Sequence, residues 1–338
     1  ETMDEVVVTA PQSSAPLTVQ TDPRKPRQPV PAHDGADYLK TIPGFSVIRK
    51  GGTDGDPVLR GMAGSRLNIL LDGEHILGGC GQRMDPPTAY VFPAAYSKIT
   101  VLKGPQTVLY GPGNSAGTVL FERDNDRAAQ VGLHADASLM LGSYGRNDQM
   151  VDVKGGSESF YAQGIYTRSD ANDYTDGSGK AVHSAYTRWS ANAALGWTPD
   201  DDTRVELSAA QSDGKAAYAD RAMDGAKFAR DNIGLKFSKQ RMGGLLDGVE
   251  AQVFHNYIDH VMDNYSLRTF TASSMMPNPA VSNPDRTTDG LRAVATLQAA
   301  EALQMKLGID HQSNTHTLRS TMNQTTMPFE SKARVQDA

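Results

Sequence analysis

The chain contains 338 residues, and its 32 glycines and 18 prolines predict many turns and few long helices. Its net charge of -6 at pH 7, without any run rich in lysine and arginine, argues against a nucleic-acid partner, because such partners are bound by clustered positive charge. The single cysteine excludes an intrachain disulfide. No run approaches the roughly 18 consecutive apolar residues of a membrane-spanning helix, although strands with alternating polarity can also cross a membrane.

The N-terminal segment combines a short β-prone run with a proline-rich stretch. The chain opens at ETMDEVVVTAP, which has neither the charged nor the apolar region of an export signal, so we expect that signal to have been removed already. The β-prone run suits pairing with the sheet edge of another chain, and a frayed terminus is the alternative. It comprises Asp4, Glu5, Val6, Val7, Val8 and Thr9. Six prolines between residues 10 and 34 predict a flexible, partly polyproline linker.

From Tyr38 to about Arg123, short apolar runs alternate with glycine, as in IPGFSVIRKGG, RLNILLDG and ITVLKGPQTVLYG. This pattern predicts a compact mixed domain of short strands and tight turns. The segment GPGNSAG resembles a phosphate-binding loop. It lacks the Lys-Ser/Thr ending and the helix that follows in such loops, so the sequence argues against nucleotide binding.

After Val131 apolar and polar residues alternate with a period of two, in runs of about ten residues. Short connections near residues 157, 200, 245 and 302 alternate with longer ones. Both features are typical of a transmembrane β-barrel, with short turns on the periplasmic side and long loops outside. The apolar positions of three such runs are Val131, Leu133, Ala135, Ala137, Leu139 and Leu141; Ala185, Trp189, Ala191, Ala193, Leu195 and Trp197; and Leu291, Ala293, Ala295 and Leu297.

One strand, from Val249 to Asp259, is predicted to run outward and to end in an extracellular loop that begins at His260. The alternation assigns its side chains to two faces. We expect Val249, Ala251, Val253 and Tyr257 to face lipid, and Glu250, Gln252, Asn256 and His260 to face the lumen.

The only cysteine lies in the segment GGCGQRMDPP, residues 78–87. Flanking glycines and a Pro-Pro pair predict an exposed loop, whereas structural cysteines are usually buried among apolar neighbours. Met84 follows Cys80 by four positions, and a second pair of possible metal ligands, His260 and Met262, occurs in DHVMDN. We expect all four side chains to be exposed.

Together these segments resemble a TonB-dependent outer-membrane receptor. DEVVVTA is similar to the box that pairs with TonB, and DPVLRGM, LLDG and KGPQTVLYGPGNSAGTV are similar to plug motifs of the family. The resemblance implies a mainly β fold: a TonB box and linker over residues 1–34, an α+β plug domain over 35–127, and a transmembrane antiparallel β-barrel over 128–338. Family barrels have about 22 strands, and these residues hold about nine or ten. We therefore expect the N-terminal part of such a receptor.

Within the family, the Cys80–Met84 and His260–Met262 pairs are similar to those of copper-binding receptors of the OprC/NosA type. The resemblance implies that Cys80 and Met84 on the plug and His260 and Met262 on a barrel loop bind copper, as Cu(I) or Cu(II). The donor chemistry agrees, because thiolate and thioether are soft ligands and imidazole binds copper in either oxidation state. Taken alone, each of these residues is more often an incidental or a packing residue than a metal ligand. The prediction of a copper site therefore depends on the four residues together.

The leading hypothesis is a receptor in the bacterial outer membrane that captures copper on its extracellular side and imports it with energy from TonB. The alternative is a receptor for a siderophore or another metal chelate, with an incidental cysteine. An enzyme is not expected, because no acid accompanies Cys80 and His260 to form a nucleophilic site. The expected partners are TonB, outer-membrane lipid and copper.

Overall fold

Strands form most of the secondary structure. The computed structural model describes residues 12–25, 27–28, 30–81, 83–105, 107–123, 127, 131–274, 276–322, 325, 329 and 331–337. The predicted TonB box, Asp4 to Thr9, lies outside the described residues. Within these ranges, no helix is long and apolar enough to cross a membrane.

The N-terminal domain is built on a six-stranded sheet, here called the plug sheet, in the order β1-β2-β7-β8-β5-β6. Only the pairing of β5 with β8 is parallel. A short helix, α1 (Gly35–Leu39), and the hairpin β3–β4 pack beside it. The strands are β1 (Gln12–Ala15), β2 (Thr18–Thr21), β3 (Phe45–Arg49), β4 (Gly55–Leu59), β5 (Leu67–Leu71), β6 (Glu74–His75), β7 (Lys98–Lys103) and β8 (Gly117–Glu122).

The prediction of a flexible linker over residues 10–34 is wrong for its described part. β1 pairs with β2, and β2 pairs with β7 of the plug sheet, where Val19 lies opposite Val101. Val19 is buried, and Arg24 forms ion pairs with Asp136 and Asp152. The prolines interrupt only the ends of these four-residue strands, so the stretch still pairs with a strand about 80 residues later, a contact that local composition does not reveal.

Among the described residues, the C-terminal part forms a ten-stranded antiparallel sheet, here called the barrel sheet, where about nine or ten strands were expected. Each strand pairs with its neighbour along the chain, except that the small hairpin β12–β13 lies between β11 and β14. The strands are β9 (Gly132–Leu141), β10 (Asn147–Gly156), β11 (Phe160–Ala171), β12 (Tyr174–Thr175), β13 (Ala181–Val182), β14 (Tyr186–Asp200), β15 (Thr203–Ala216), β16 (Asp224–Lys239), β17 (Leu246–Asp263), β18 (Ala280–Ala300), β19 (Leu303–Met322) and β20 (Ser331–Asp337).

The two faces of the barrel sheet have opposite polarity. Leu195 and Trp197 of β14 are 59% and 45% exposed, whereas Arg188 and Ser190 of the same strand are buried. The inner polar groups contact the plug: Arg188 donates hydrogen bonds to the carbonyl oxygens of Ala89 and Val91. An apolar outer face and a polar inner face are what a strand needs between lipid and a polar interior.

Connections at one end of the barrel sheet are short, at 157–159, 201–202, 240–245 and 301–302, and most at the other end are longer, at 172–185, 217–223 and 264–279. This confirms the predicted alternation. The predicted end of the strand at Asp259 is wrong, because β17 continues to Asp263. His260 and Met262 therefore lie in a strand, not in a loop. Their strand partners are Phe228 and Gly225 of β16, whose pairing extends β17 toward the long-loop end.

The hydrophobic core lies between the plug sheet, α1 and the inner face of the barrel sheet. Leu39, Ile69, Val119 and Phe121 of the plug are almost fully buried in it. The same cluster extends to residues of the barrel sheet: Ile165, Phe228, Ile258 and Met262. The plug thus packs directly against the strand that carries two of the predicted metal ligands.

Candidate metal centre

The turn that carries Cys80 is organised by a buried carboxylate. Asp85 accepts hydrogen bonds from the backbone N–H groups of Gly79 and Cys80, at 2.6 and 2.8 Å, and from the hydroxyl of Tyr90 at 2.7 Å. The Cys80 carbonyl accepts the N–H of Arg83 at 2.9 Å, which closes the turn. Cys80 is only 8% exposed, so the expectation of an exposed cysteine is wrong. The glycines fold the turn inward around Asp85.

Met84 follows this turn and is partly buried against the main core cluster, which also contains Met262. The preceding residue, Arg83, is fixed by two hydrogen bonds to the carboxylate of Asp56, at 2.9 and 2.7 Å. Two carboxylates therefore hold the residues around this turn: Asp85 binds the backbone of Cys80, and Asp56 binds the side chain of Arg83. Met84 is less exposed than predicted, because its side chain packs against this core cluster.

His260 is completely buried on the inner face of β17, which confirms its predicted lumen-facing side. Gln252 and Asn256 of the same face are also buried, and Gln252 donates to the carbonyl of Asp72 in the plug. The expectation of exposed side chains is wrong for His260 and for Met262, which is 1% exposed. Met262 belongs to the core cluster that it shares with the plug, and the ring of His260 lies against Phe228 of β16.

The two ring nitrogens of His260 have different surroundings. Nδ1 lies 2.8 Å from the carbonyl oxygen of Lys227, an acceptor, so Nδ1 carries the proton. Nε2 is buried and has no hydrogen-bond partner among the described residues. Leaving a buried polar atom unsatisfied costs about 1–3 kcal/mol, so such an atom needs an explanation. In the neutral ring Nε2 offers its lone pair, which is the form that binds a metal.

Two contacts bring the Cys80 turn to the His260 face. The carbonyl of Gly78 accepts a hydrogen bond from Arg286 of β18 at 2.9 Å. A Cβ atom at Gly79 would lie 3.2 Å from Ile258, so only glycine allows this approach without adjustment. Ile258 precedes His260 by two residues, which places both on one face about 7 Å apart along the strand.

An aromatic row links the same elements from the other side. The ring centroid of Phe228 lies 4.5 Å from that of His260 and 6.5 Å from that of Tyr90. Tyr90 in turn donates to Asp85, which holds the backbone of Cys80. The structure thus brings the plug turn with Cys80 and Met84 against the part of β17 that carries His260 and Met262.

The residues around His260 limit which donor atoms could bind a metal ion there. Across the described residues there is no group of three or more His, Cys, Asp and Glu side chains arranged to hold a metal ion. A site at His260 therefore depends on sulfur from Cys80 and on the thioethers of Met84 and Met262. Such a donor set suits a soft ion and is poor for Mg²⁺ or Ca²⁺, which prefer oxygen.

Sequence reasoning missed the residues that build the surroundings of the four candidate ligands. Asp85 and Asn283 are buried polar side chains that hold the backbone at Cys80 and His260. The sequence did contain a signal for Asn283. Its neighbour Pro284 interrupts an otherwise regular strand, and prolines in strands mark irregular pairing.

Residues 11–118 match the TonB-dependent Receptor Plug Domain family. The solved structure of the copper transporter OprC is 52% identical to this chain, with a TM-score of 0.89, over 93% of this chain and 48% of that one. The FrpB iron transporter from Neisseria meningitidis is 18% identical with a TM-score of 0.65, over 85% and 46% of the two chains, and shares the fold.

A hemin receptor from Yersinia pestis is 32% identical over 92 residues, which is 27% of this chain and 13% of that protein. The chain spans about half the length of the solved relatives that it matches. The similarities thus cover both the plug and the barrel sheet, and the strongest identity reported above is to a copper transporter.

Proposed function

The chain belongs to the TonB-dependent receptors and is of the OprC type, and we propose that it binds copper as its cargo and mediates copper uptake across the outer membrane. The proposed ligands are Cys80 and Met84 of the plug and His260 and Met262 of β17. They form a single site between the plug and the barrel sheet.

The observation that carries this proposal is the buried Nε2 atom of His260, which has no hydrogen-bond partner within the described part of the chain. The only cysteine of the chain lies in the plug turn that packs against the same face of β17. A copper ion bound to Nε2 would satisfy this atom and replace the solvation lost on burial.

Copper suits the donor set better than the other common metals do. Thiolate and thioether select soft ions such as Cu(I), imidazole serves copper in both oxidation states, and methionine is not among the usual zinc ligands. Binding requires a deprotonated thiol and a neutral imidazole, so it should release a proton and weaken in acid.

The proposed direction of transport rests on the loop lengths of the barrel sheet. Its apolar outer face suits lipid, and long loops belong on the extracellular side of such barrels. His260 lies near the long-loop end of β17, which places the proposed site toward the extracellular side. The run from Asp4 to Thr9 is proposed to pair with TonB, which would deliver the energy for uptake.

The test measures metal content directly. We expect full-length wild-type protein to bind a single copper ion, with sulfur and nitrogen ligands in copper-edge absorption, and Cys80→Ala and His260→Ala to lose most of the metal. The matched control is His255→Ala: His255 lies on the same strand, is half exposed and pairs with Asp289 at 2.7 Å, so this variant should keep its copper.

Full copper occupancy in a Cys80→Ala, His260→Ala double variant would overturn the ligand assignment. Buried Met150 on β10 provides a second control, because Met150→Ala should retain copper whereas Met262→Ala should bind it more weakly. This comparison separates loss of a thioether ligand from loss of a packing side chain.

A second candidate cargo, a metal chelate, is favoured by a cavity at the long-loop end. The cavity has a volume of about 600 Å³, within the range of small-molecule sites. It is lined by Tyr144, Tyr174, Tyr186, Tyr218 and Arg49, among others. If uptake requires a chelate and persists in Cys80→Ala protein, this alternative is correct. The unpaired His260 nitrogen favours the bare ion.

A further inference from the structure

Two irregularities in the barrel sheet flank His260. In β16 the register shifts between Gly225 and Lys227, which makes a β-bulge at Ala226. A bulge interrupts the regular ladder and changes the direction of neighbouring groups. The carbonyl oxygen of Lys227, next to the bulge, accepts the Nδ1 proton of His260 at 2.8 Å. The bulge thus provides the acceptor that sets the tautomer of the ring.

The second irregularity is Pro284 in β18. The register pairs Asp259 with Asp285 and Met262 with Ser282, which puts Pro284 opposite His260. Proline has no N–H to give to the ladder. The carbonyl oxygen of His260 instead accepts a hydrogen bond from the side chain of Asn283, at 3.0 Å. A side-chain amide therefore holds the backbone of His260 where the strand partner cannot.

The two irregularities are joined by hydrogen bonds on the outer face of the barrel sheet. Asn283 also donates to Asp259 at 2.6 Å, and Asp259 accepts from the ammonium group of Lys227 at 2.7 Å. The circuit runs from the His260 ring to Lys227, then to Asp259, Asn283 and the His260 carbonyl. Arg319 of β19 donates to the Asn283 side-chain oxygen at 3.4 Å, which fixes the amide orientation.

The amide and the carboxylate of this circuit are buried, since Asn283 is 1% and Asp259 7% exposed, whereas the side chain of Lys227 is 37% exposed. Groups of this kind resist displacement because losing one partner leaves another buried group unsatisfied. The ring of His260 is thereby held by its backbone and by Nδ1, and only Nε2 remains without a described partner.

We propose that Asn283 and Asp259 are positioning residues that hold the His260 ring, with Nε2 unprotonated, for a soft metal ion bound from the lumen side. This inference rests on the proposed function and deepens it. Groups behind a ligating histidine fix its tautomer and orientation, and their loss typically costs about 10–100-fold in metal affinity. Neither residue touches the ion in this arrangement.

The experiment compares copper affinity, measured by competition with a Cu(I) chelator, in full-length wild-type protein and in Asn283→Leu. This variant keeps similar volume and removes both donated hydrogen bonds, and the expected loss is about tenfold. Asp259→Asn is the second variant, in case Asn283→Leu does not fold. The matched control is Asn314→Leu on β19: Asn314 is also buried but bonds to Thr288 outside the circuit.

A double-mutant cycle distinguishes positioning from general destabilisation. In a His260→Ala background, Asn283→Leu should cause no further loss of affinity, because its effect passes through the ring. Nitrogen NMR of the metal-free protein gives an independent measurement: the His260 ring should be a single Nε2-unprotonated tautomer in the wild type and a mixture of tautomers in Asn283→Leu.

The outcomes separate the two proposals. If the wild type binds no copper, the proposed function fails, while the NMR comparison still tests the positioning. If the wild type binds copper and Asn283→Leu and Asp259→Asn bind it equally well, the positioning role is wrong. The positioning role is also wrong if Asn283→Leu lowers the copper affinity equally in the wild-type and His260→Ala backgrounds.

Discussion

Asp54 of the plug is a fully buried carboxylate next to the long-loop end. The hydroxyl of Tyr218 donates to one of its oxygens at 2.7 Å, and the other oxygen has no hydrogen-bond partner in the described ranges. Burial raises the pKa of Asp54 to about 8, against the hydrogen bond from Tyr218 that lowers it. The neutral acid is therefore the form that fits this position at neutral pH.

This raised pKa predicts a pH-dependent stability. Because the folded pKa of about 8 exceeds the ordinary value of 3.8, the folded chain keeps a proton that the unfolded chain releases between these values. The free energy of unfolding should then fall as the pH rises through this window. Asp54→Asn imitates the neutral form, and we expect it to stabilise the protein by about 1–3 kcal/mol at alkaline pH and to have little effect near pH 4.

Thermal unfolding across this pH range, followed by circular dichroism, measures the effect. The control is Asp220→Asn, an exposed position in the loop that also carries Tyr218. A stability difference between Asp54→Asn and the wild type that does not change with pH would contradict the proposed protonation of Asp54.

At the scale of elements, the valine-rich run at the N-terminus gives a prediction that depends on strand pairing. Val7→Pro removes a backbone N–H and fixes φ, so it should weaken addition of this run to a sheet edge of TonB. We expect copper binding to remain and energised copper uptake to fall. Thr2→Pro, outside the run, should leave both unchanged.

Two measurements check this expectation: binding of the TonB C-terminal domain and uptake of copper by cells. If Val7→Pro protein binds the TonB domain as tightly as the wild type does, the segment from Asp4 to Thr9 is not the pairing strand.

The strands β14 and β17 also show what the alternation of apolar and polar residues can predict and what it cannot. The alternation of Leu195 and Trp197 with polar residues predicted both the strand and its apolar outer face, because side chains of a strand point to opposite sides by geometry alone. The same reasoning failed at the end of β17. Its last residues, 260–263, are strand because β16 and β18 pair with them, which no local pattern of β17 reveals.

For the molecule as a whole, the proposed site joins the plug to the barrel sheet through residues 180 positions apart in sequence. Metal–sulfur and metal–nitrogen bonds of about 2.0–2.3 Å require the Cys80 sulfur and the His260 imidazole to approach within about 5 Å of each other when a copper ion is bound. We expect Met84 and Met262 to point at the same ion.

A structure of the copper-loaded protein, with anomalous scattering recorded at the copper edge, tests this geometry. Copper bound at His260 without sulfur from Cys80, or copper located elsewhere, would refute the shared site. Cys80→Ser protein should show weaker density at the same position, because a hydroxyl is a harder donor than a thiolate.

The sequence alone determined the β architecture, the approximate strand number and the inward face of His260, because periodicity is a local property, and its residue chemistry predicted the four candidate ligands. It did not determine that Cys80, His260 and Met262 are buried, that residues 12–24 belong to the plug, or that Asp85 and Asn283 hold the candidate ligands. The tertiary structure decided these features. Burial and hydrogen bonding depend on which distant segments meet, and here the plug turn and β17 meet through Gly79 and Ile258, far apart in the chain.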